Sequence, residues 1–178
     1  SAPRLAPTSD AQVKSTAASL LQAANVREGY ALVLGTRSGT LAHDLAAHTN
    51  LKVIALAPKQ KNMDALQRRF VALGDSQRNL SFLTGQLPES GLPPYLANLI
   101  VAEDWDATGL STGADFIVAL YERLRPYGGV ACLAVDPKKD HDIRKWLKAA
   151  DHHEAEVERN GGYLIIRRAG ALPGAVDY

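Results

Sequence analysis

Short apolar runs alternate with amphipathic segments along most of the chain. The apolar runs read "YALVLG", "LKVIALA", "NLSFLTG", "ANLIVAED" and "GGVACLAVD", and their length and flanking turn residues predict five buried strands. The segments between them carry apolar residues at helical spacing, as in "TSDAQVKSTAASLLQAANV" and "NMDALQRRFVALG". Strands that alternate with helices imply right-handed crossovers and a mostly parallel sheet with helices on both faces. The pattern therefore predicts a doubly wound α/β domain.

The C-terminal part of the chain departs from this alternation. "PKKDHDIRKWLKAAD" predicts a further helix, whereas "HHEAEVERNGGYLIIRR" is typical of two strands joined by a turn at residues 160–162. We expect these strands to form an antiparallel hairpin over residues 153–168 at one edge of the sheet. The whole sheet is then seven-stranded and mostly parallel.

Composition and charge narrow the classes of protein to which this chain can belong. The chain has 178 residues, of which 46% are hydrophobic and 22% charged, which favours one domain with a substantial core. A formal net charge of +1 gives no reason to expect a nucleic acid or a membrane surface as partner. No segment approaches the roughly 18 apolar residues of a membrane span, and the start lacks a signal-peptide pattern. We expect a soluble domain and leave its compartment open, including export within a longer protein.

The cysteine and histidines are expected to be structural or surface residues. Cys132 lies in the apolar run "GGVACLAV", which favours a buried thiol over a nucleophile. His43 and His48 are five residues apart on a predicted helix, so they do not share a face. His152 and His153 are adjacent in a predicted strand and would point to opposite faces. The sequence therefore predicts no metal site.

Element order and four motifs together resemble class I S-adenosylmethionine-dependent methyltransferases, from about residue 10 to 168. "ALVLGTRSGTLAHDLA" resembles the first motif of that family, and "LKVIALAPKQKNMDALQRRF" its second strand and following helix. "NLIVAEDW" resembles the fourth strand, and "LYERLRPYGGVACLAV" the Leu-x-Pro-Gly-Gly segment. The resemblance implies a Rossmann-like methyltransferase domain over residues 1–170, S-adenosylmethionine as cofactor and a methyl acceptor whose identity is unknown.

The resemblance also implies where ligands bind, because open α/β sheets bind them at the carboxyl ends of the strands. Seven positions correspond to cofactor-binding positions of the family: Gly35, Thr36, Arg37, Gly39, Ala57, Gln86 and Glu103. Asp104 and Trp105 correspond to the acceptor pocket, with Trp105 as a wall. From the residues alone, Glu103 and Asp104 either position an acceptor or are solvated acids at a strand end. Trp146 and Tyr163 are expected in the core or on the hairpin.

Three of these positions depart from the family pattern. Arg37 stands where the middle glycine is usual, and it either fills the cofactor space or turns toward an anionic group. Ala57 replaces the carboxylate that accepts the ribose hydroxyls, and Gln86 stands where an Asp is usual. Loss of the ribose contact would cost about 1.5–3 kcal/mol, or one to two decades in affinity. We therefore expect S-adenosylmethionine to bind with a Kd weaker than about 100 μM, if it binds.

Two further expectations concern how this site can be restored. Arg37→Gly together with Ala57→Asp is expected to raise cofactor affinity at least about tenfold, more than either change alone. Both positions are expected at the edge of the sheet and outside the core, so the fold should tolerate the changes. The helix after the glycine turn is expected to present free backbone N–H groups at the same edge.

A second resemblance concerns context. "LPPYLANLIVAEDW", "LRPYGGVACL" and the end "RRAGALPGAVDY" resemble methyltransferase-like domains that stand beside pyrroloquinoline-quinone-type β-propellers in large bacterial proteins. This implies that residues 171–178 are a linker or the start of a following domain. It also implies a β-propeller of the same polypeptide as a partner.

Three functions remain open at this stage. The first is a methyltransferase that uses S-adenosylmethionine, with full or weakened cofactor binding. The second is a non-catalytic interaction or structural module of a larger protein, as Arg37 and Ala57 suggest. The third is a dinucleotide-binding oxidoreductase, which fits least well because Ala57 cannot bind a ribose and the terminal hairpin favours the methyltransferase topology.

Overall fold

Helices and strands alternate as the sequence predicts. The computed structural model describes residues 10–71, 79–105, 108 and 113–170. Its α-helices are α1 (Asp10–Ala24), α2 (Thr40–His48), α3 (Gln60–Val71), α4 (Ala114–Glu122) and α5 (Asp140–Ala149). Its strands are β1 (Glu28–Leu34), β2 (Asn50–Ala57), β3 (Leu80–Thr84), β4 (Leu99–Ala102), β5 (Gly129–Leu133), β6 (Ala155–Asn160) and β7 (Tyr163–Arg168). Short 3₁₀ helices at Leu87–Glu89 and Pro137–Lys139 precede β4 and α5.

The seven strands form one sheet in the order β3-β2-β1-β4-β5-β7-β6. Strands β1 to β5 pair in parallel, whereas β7 is antiparallel to both β5 and β6. The expected hairpin is confirmed, and it places β7 between β5 and the edge strand β6. This topology is that of the Rossmann-like methyltransferase fold. It differs from the all-parallel order of classical dinucleotide-binding domains, which argues against the oxidoreductase alternative.

The hairpin begins later than the sequence predicts. Strand β6 starts at Ala155, so His152 and His153 lie in the turn before it and the strand-based argument about their faces was wrong. The His152 ring packs on Tyr121, with 4.6 Å between ring centroids. The exposed His153 pairs with Asp151 through a contact of 2.8 Å.

The core has a layer on each face of the sheet. Helices α1 and α2 pack on one face through buried residues such as Leu20 and Leu45, and α4 and α5 cover the other through residues such as Phe116 and Leu147. Strands β4 and β5 are buried along their whole length because they lie at the centre of the sheet. Cys132 on β5 is fully buried, as expected, and burial raises the pKa of its thiol to about 12. No helix within the described part of the chain is long and apolar enough to cross a membrane.

The register of the central strands decides which residues meet at the carboxyl edge. Leu34 at the end of β1 lies beside Ala102 at the end of β4, and Ala57 at the end of β2 lies beside Thr84 of β3. The turn that follows β1 therefore lies between the ends of β2 and β4. Residues that are far apart in the sequence are neighbours there.

Candidate functional site at the carboxyl edge

The turn after β1 needs both of its glycines because neighbouring protein atoms approach them closely. Gly35 and Gly39 have φ angles of +57° and +79°, which lie in the left-handed region that favours glycine. A Cβ on Gly35 would stand 2.2 Å from the carbonyl oxygen of Asp104, and one on Gly39 would stand 2.5 Å from the Phe70 ring. The protein itself thus fills the space that these glycines leave open.

Glu103 occupies the N–H groups of this turn. Its Oε1 accepts hydrogen bonds from the backbone N–H of Ser38 at 2.7 Å and from the Ser38 hydroxyl at 2.8 Å. Its Oε2 accepts a third hydrogen bond from the backbone N–H of Gly39 at 3.1 Å. The expectation of free N–H groups at the start of α2 is therefore wrong for these two residues, because the fold brings a carboxylate from the end of β4 onto them.

Other contacts hold the same turn from its remaining sides. Arg69 of α3 donates a hydrogen bond to the carbonyl oxygen of Ser38 at 2.8 Å. Thr36 is fully buried, and its backbone N–H donates to the carbonyl oxygen of Leu56 at 2.9 Å while its hydroxyl donates to that of Val33 at 3.2 Å. Several polar groups of the turn are therefore engaged in hydrogen bonds within the protein.

Arg37 pairs with Asp104. The Nε atom of Arg37 lies 2.9 Å from Oδ2 of Asp104, and the two side chains are 63% and 31% exposed. The sequence left open whether Arg37 fills the cofactor space or turns toward an anionic group. In the structure its anionic partner is a residue of the chain itself, at the end of the neighbouring strand.

A small cavity lies at the edge above β1, β2 and β3. Its volume is about 10 Å³, and its described lining residues are Leu34, Gly35, Leu56, Gly85, Gln86, Leu87 and Thr108. This volume is about that of a single water site. Ala57 is fully buried against Met63, Leu66 and Phe70, so the expectation that it lies outside the core was wrong. The final residue of β2 is covered by α3, whereas Gln86 is exposed.

The side above β4 and β5 is open. A hollow of about 490 Å³ lies there, lined by Leu20, Ala102, Glu103, Asp104, Trp105, Ala134 and Tyr163. Such a volume lies within the range of small-molecule pockets. The structure thus brings the predicted residues Glu103, Asp104 and Trp105 together in one wall. The described lining supplies carboxylates and aromatic rings, and it contains no histidine, cysteine or lysine that could act as base or nucleophile.

Sequence reasoning missed several residues of this edge. Ser38 and Arg69 hold the turn, and Leu20, Ala134 and Tyr163 line the hollow. The expectation that the turn after the first strand and the acids after the fourth strand lie at the same carboxyl edge was a usable signal for the contact between Glu103 and Ser38. No signal in the sequence linked Leu20 of α1 with Tyr163 of β7.

Comparisons with known proteins agree with this description of the fold. No protein-family model matches the sequence, and no curated protein sequence does. Solved structures match over most of the chain, including a Methanococcus maripaludis protein assigned as an S-adenosyl-L-methionine-dependent methyltransferase. That match has a TM-score of 0.75 at 14% identity, and it covers 91% of this chain and 88% of the other.

Two further solved structures extend the comparison. An S-adenosylmethionine-dependent methyltransferase from Aquifex aeolicus matches with a TM-score of 0.58 at 14% identity, over 89% of this chain and 97% of the other. Phosphoethanolamine N-methyltransferase 2 of Haemonchus contortus, in complex with S-adenosyl-L-methionine, matches with a TM-score of 0.58 at 13% identity. The match covers 81% of this chain and 38% of that one. The chain therefore has the fold of S-adenosylmethionine-dependent methyltransferases.

Proposed function

We propose that this chain is a methyltransferase-like domain in which binding of S-adenosylmethionine is weakened or lost. The observation that carries the proposal is the Glu103 carboxylate on the N–H groups of Ser38 and Gly39. Backbone N–H groups of a glycine turn at a helix N-terminus attract anionic groups. An anionic group of a ligand would compete there with a carboxylate that is already part of the protein.

Ala57 also fits this cofactor poorly. It offers no acceptor for ribose hydroxyls and is buried against α3. The described residues above β1, β2 and β3 leave a cavity of about 10 Å³ beside Gly35 and Gln86. An anionic group of the cofactor could bind the turn only after Glu103 moves, and that rearrangement lowers affinity.

Calorimetric titration of the chain with S-adenosylmethionine and S-adenosylhomocysteine tests the proposal. We expect Kd values weaker than about 100 μM for the wild type. Glu103→Ala removes the competing carboxylate and should strengthen binding about tenfold, which corresponds to one charged hydrogen bond. Glu89→Ala removes an exposed acid elsewhere and serves as the charge-matched control.

Two outcomes would contradict the proposal. A wild-type Kd near 1 μM would refute weakened binding itself. A folded Glu103→Ala variant that gains nothing over Glu89→Ala would show that the turn is not closed by Glu103.

A second candidate is the non-catalytic module of a larger protein. It is favoured by the two glycines, which the packing against Asp104 and Phe70 requires whether or not a ligand binds. In such a module the glycine turn serves folding, and the partner that we propose is a β-propeller domain of the same polypeptide. Residues 171–178, which belong to one of the stretches from which that partner was inferred, lie outside the described residues. A module of this kind should unfold at the same temperature with and without millimolar S-adenosylmethionine, because a ligand that does not bind cannot stabilise the fold.

A further inference from the structure

A further cavity lies at the flank of the sheet, where α5 packs on the edge strand β6. Its volume is about 140 Å³, and Leu147, Ala155 and Val157 supply its apolar part. Its other described lining residues are of the basic types, namely Arg144, Lys148, His152 and His153. The described lining contains no carboxylate. The cavity therefore combines a short apolar surface with polar groups that suit an anion.

Two cations reach this cavity from the same face of α5. Arg144 and Lys148 are four residues apart on the helix, a spacing that places side chains on one face. Nη1 of Arg144 donates a hydrogen bond to the carbonyl oxygen of Val157 at 2.7 Å, which holds the guanidinium against β6. Neither cation forms an ion pair with a described residue. The other N–H groups of the guanidinium and the whole ammonium group can therefore serve a ligand.

The acids next to these cations have closer partners. Asp140 stands one turn before Arg144 on α5, and Arg159 donates a hydrogen bond to it from Nε at 3.0 Å. Asp151, in the turn after α5, lies 2.8 Å from the exposed imidazole of His153. These contacts keep the two carboxylates away from the cations of the cavity.

His152 forms a wall of the cavity rather than a donor to it. Its Nδ1 lies 3.7 Å from Oε1 of Glu154, and its Nε2 lies 4.0 Å from Oε1 of Glu122. Glu154 in turn accepts a hydrogen bond from the Tyr121 hydroxyl at 3.1 Å. Because the ring turns both nitrogens toward these acids, an anion in the cavity would be held by the two cations of α5.

We propose that this cavity binds the phosphoryl group of a small phosphate monoester. A guanidinium and an ammonium group together complement the double charge of a phosphate, and the planar guanidinium matches the spacing of its oxygens. The apolar lining suits a short alkyl substituent, and a volume of about 140 Å³ is too small for a nucleotide.

This site is distinct from the carboxyl edge. Ala155 lies in register with Arg168 of β7, which is in register with Gly129 at the start of β5. The cavity therefore lies toward the amino ends of the parallel strands, opposite to the glycine turn. The assignment goes beyond the proposed function and does not depend on it.

Methyl phosphate and methyl sulfate are a suitable pair of probes, because they share shape while at pH 8 the first carries two negative charges and the second one. Amide NMR spectra of the full chain at constant ionic strength follow each titration. We expect methyl phosphate to shift the signals of residues 144–157 saturably, with a Kd of about 1 mM and about fivefold tighter than methyl sulfate. Equal binding of the two probes, or shifts that do not saturate, would mean an adventitious ion only and would overturn the proposal.

A matched pair of lysines on α5 sharpens the test. Lys148→Gln should weaken methyl phosphate binding about fivefold, whereas Lys148→Arg keeps the charge and should stay within about twofold of the wild type. Lys145→Gln removes the same charge from an exposed position that is not among the described lining residues, and it should change the Kd less than about twofold. Equal losses in folded Lys145→Gln and Lys148→Gln variants would mean that the overall charge of the helix attracts the anion, which would overturn the assignment of the cavity.

Discussion

The two halves of the carboxyl edge differ, although the carboxyl ends of parallel strands form both of them. Above β1, β2 and β3 Ala57 is fully buried, and the described residues there line a cavity of about 10 Å³. Above β4 and β5 the exposed Ala134 lines a hollow of about 490 Å³. Arg69 and Phe70 of α3 pack on the glycine turn of the first half. Glu103 and Asp104 contact the same turn and also line the hollow, so the two halves meet at the end of β4.

The same substitution in each half gives the largest expected contrast. Ala57→Asp would bury a carboxylate against Met63 and Phe70, and should lower the free energy of unfolding by at least about 2 kcal/mol. Ala134→Asp changes an exposed residue and should stay within about 0.5 kcal/mol of the wild type. Urea unfolding of both variants measures the difference. Equal losses of the free energy of unfolding in the two variants would mean that position 57 is not enclosed by α3.

The expected cost of Ala57→Asp also bears on the double substitution that was expected to raise cofactor affinity. An Asp at position 57 requires a compensating change in α3.

Substitutions of the two acids that follow β4 are expected to have stability effects of intermediate size. Glu103→Gln replaces a carboxylate that accepts three hydrogen bonds, and it should destabilise the protein by about 1–2 kcal/mol. Asp104→Asn removes the charge that faces the exposed Arg37, and it should cost less than Glu103→Gln because solvent screens this ion pair. Chemical denaturation of the two variants side by side is the measurement. If Asp104→Asn proves the more costly, the turn is not held chiefly by Glu103.

The fold was predictable from the sequence because each strand is marked locally. The run that became β5 is apolar throughout, which suits a strand covered on both faces, and glycines at 161 and 162 mark the turn of the hairpin. The start of the hairpin was less predictable, because the two histidines before Ala155 have no periodicity that excludes them from a strand.

The sequence predicted which positions lie at the site, but it did not predict which contacts they make. Family resemblance located Glu103, but its hydrogen bonds to Ser38 span 65 positions of sequence and depend on the register of β1 and β4. The burial of Ala57 depends on how α3 crosses the end of β2, which no pattern within "LKVIALA" reports. Contacts of this kind depend on the packing between elements, which local patterns do not determine.

A smaller, pH-dependent effect is expected on the open half. Arg159 donates a hydrogen bond from Nε to Asp140 at 3.0 Å and another from a terminal nitrogen to the carbonyl oxygen of Val135, so it fixes the segment after β5. The hydrogen bond from Arg159 holds the pKa of Asp140 below its usual value. The stability from this pair is thus present above about pH 4, the usual pKa of an unfolded Asp, and is lost as pH falls through the lower folded value.

The Asp140→Asn variant tests this effect. Its melting temperature should be lower than that of the wild type at pH 7, and the gap should narrow at pH 3 and below. The exposed Asp142, two residues further along α5, provides the control as Asp142→Asn. A gap that stays constant across this range would exclude a role for the ionised Asp140.

The smallest expected effect concerns Cys132, which should not react with an alkylating reagent in the native protein. Cys132 lies two residues before the exposed Ala134, yet it is fully buried, and its pKa of about 12 keeps it protonated at pH 8. We expect iodoacetamide to leave the native thiol unmodified while it labels the urea-unfolded chain completely, as mass spectrometry can show. Rapid labelling of the native protein would mean that the hollow extends into the sheet, and the contrast between the halves would then be larger.

Gly35 has a consequence for how sequences of this kind are interpreted. A side chain at that position would meet the backbone of Asp104 at 2.2 Å, so folding alone requires a glycine there. A glycine turn after the first strand is therefore needed for packing whether or not a ligand binds, and its presence alone is no sign of binding.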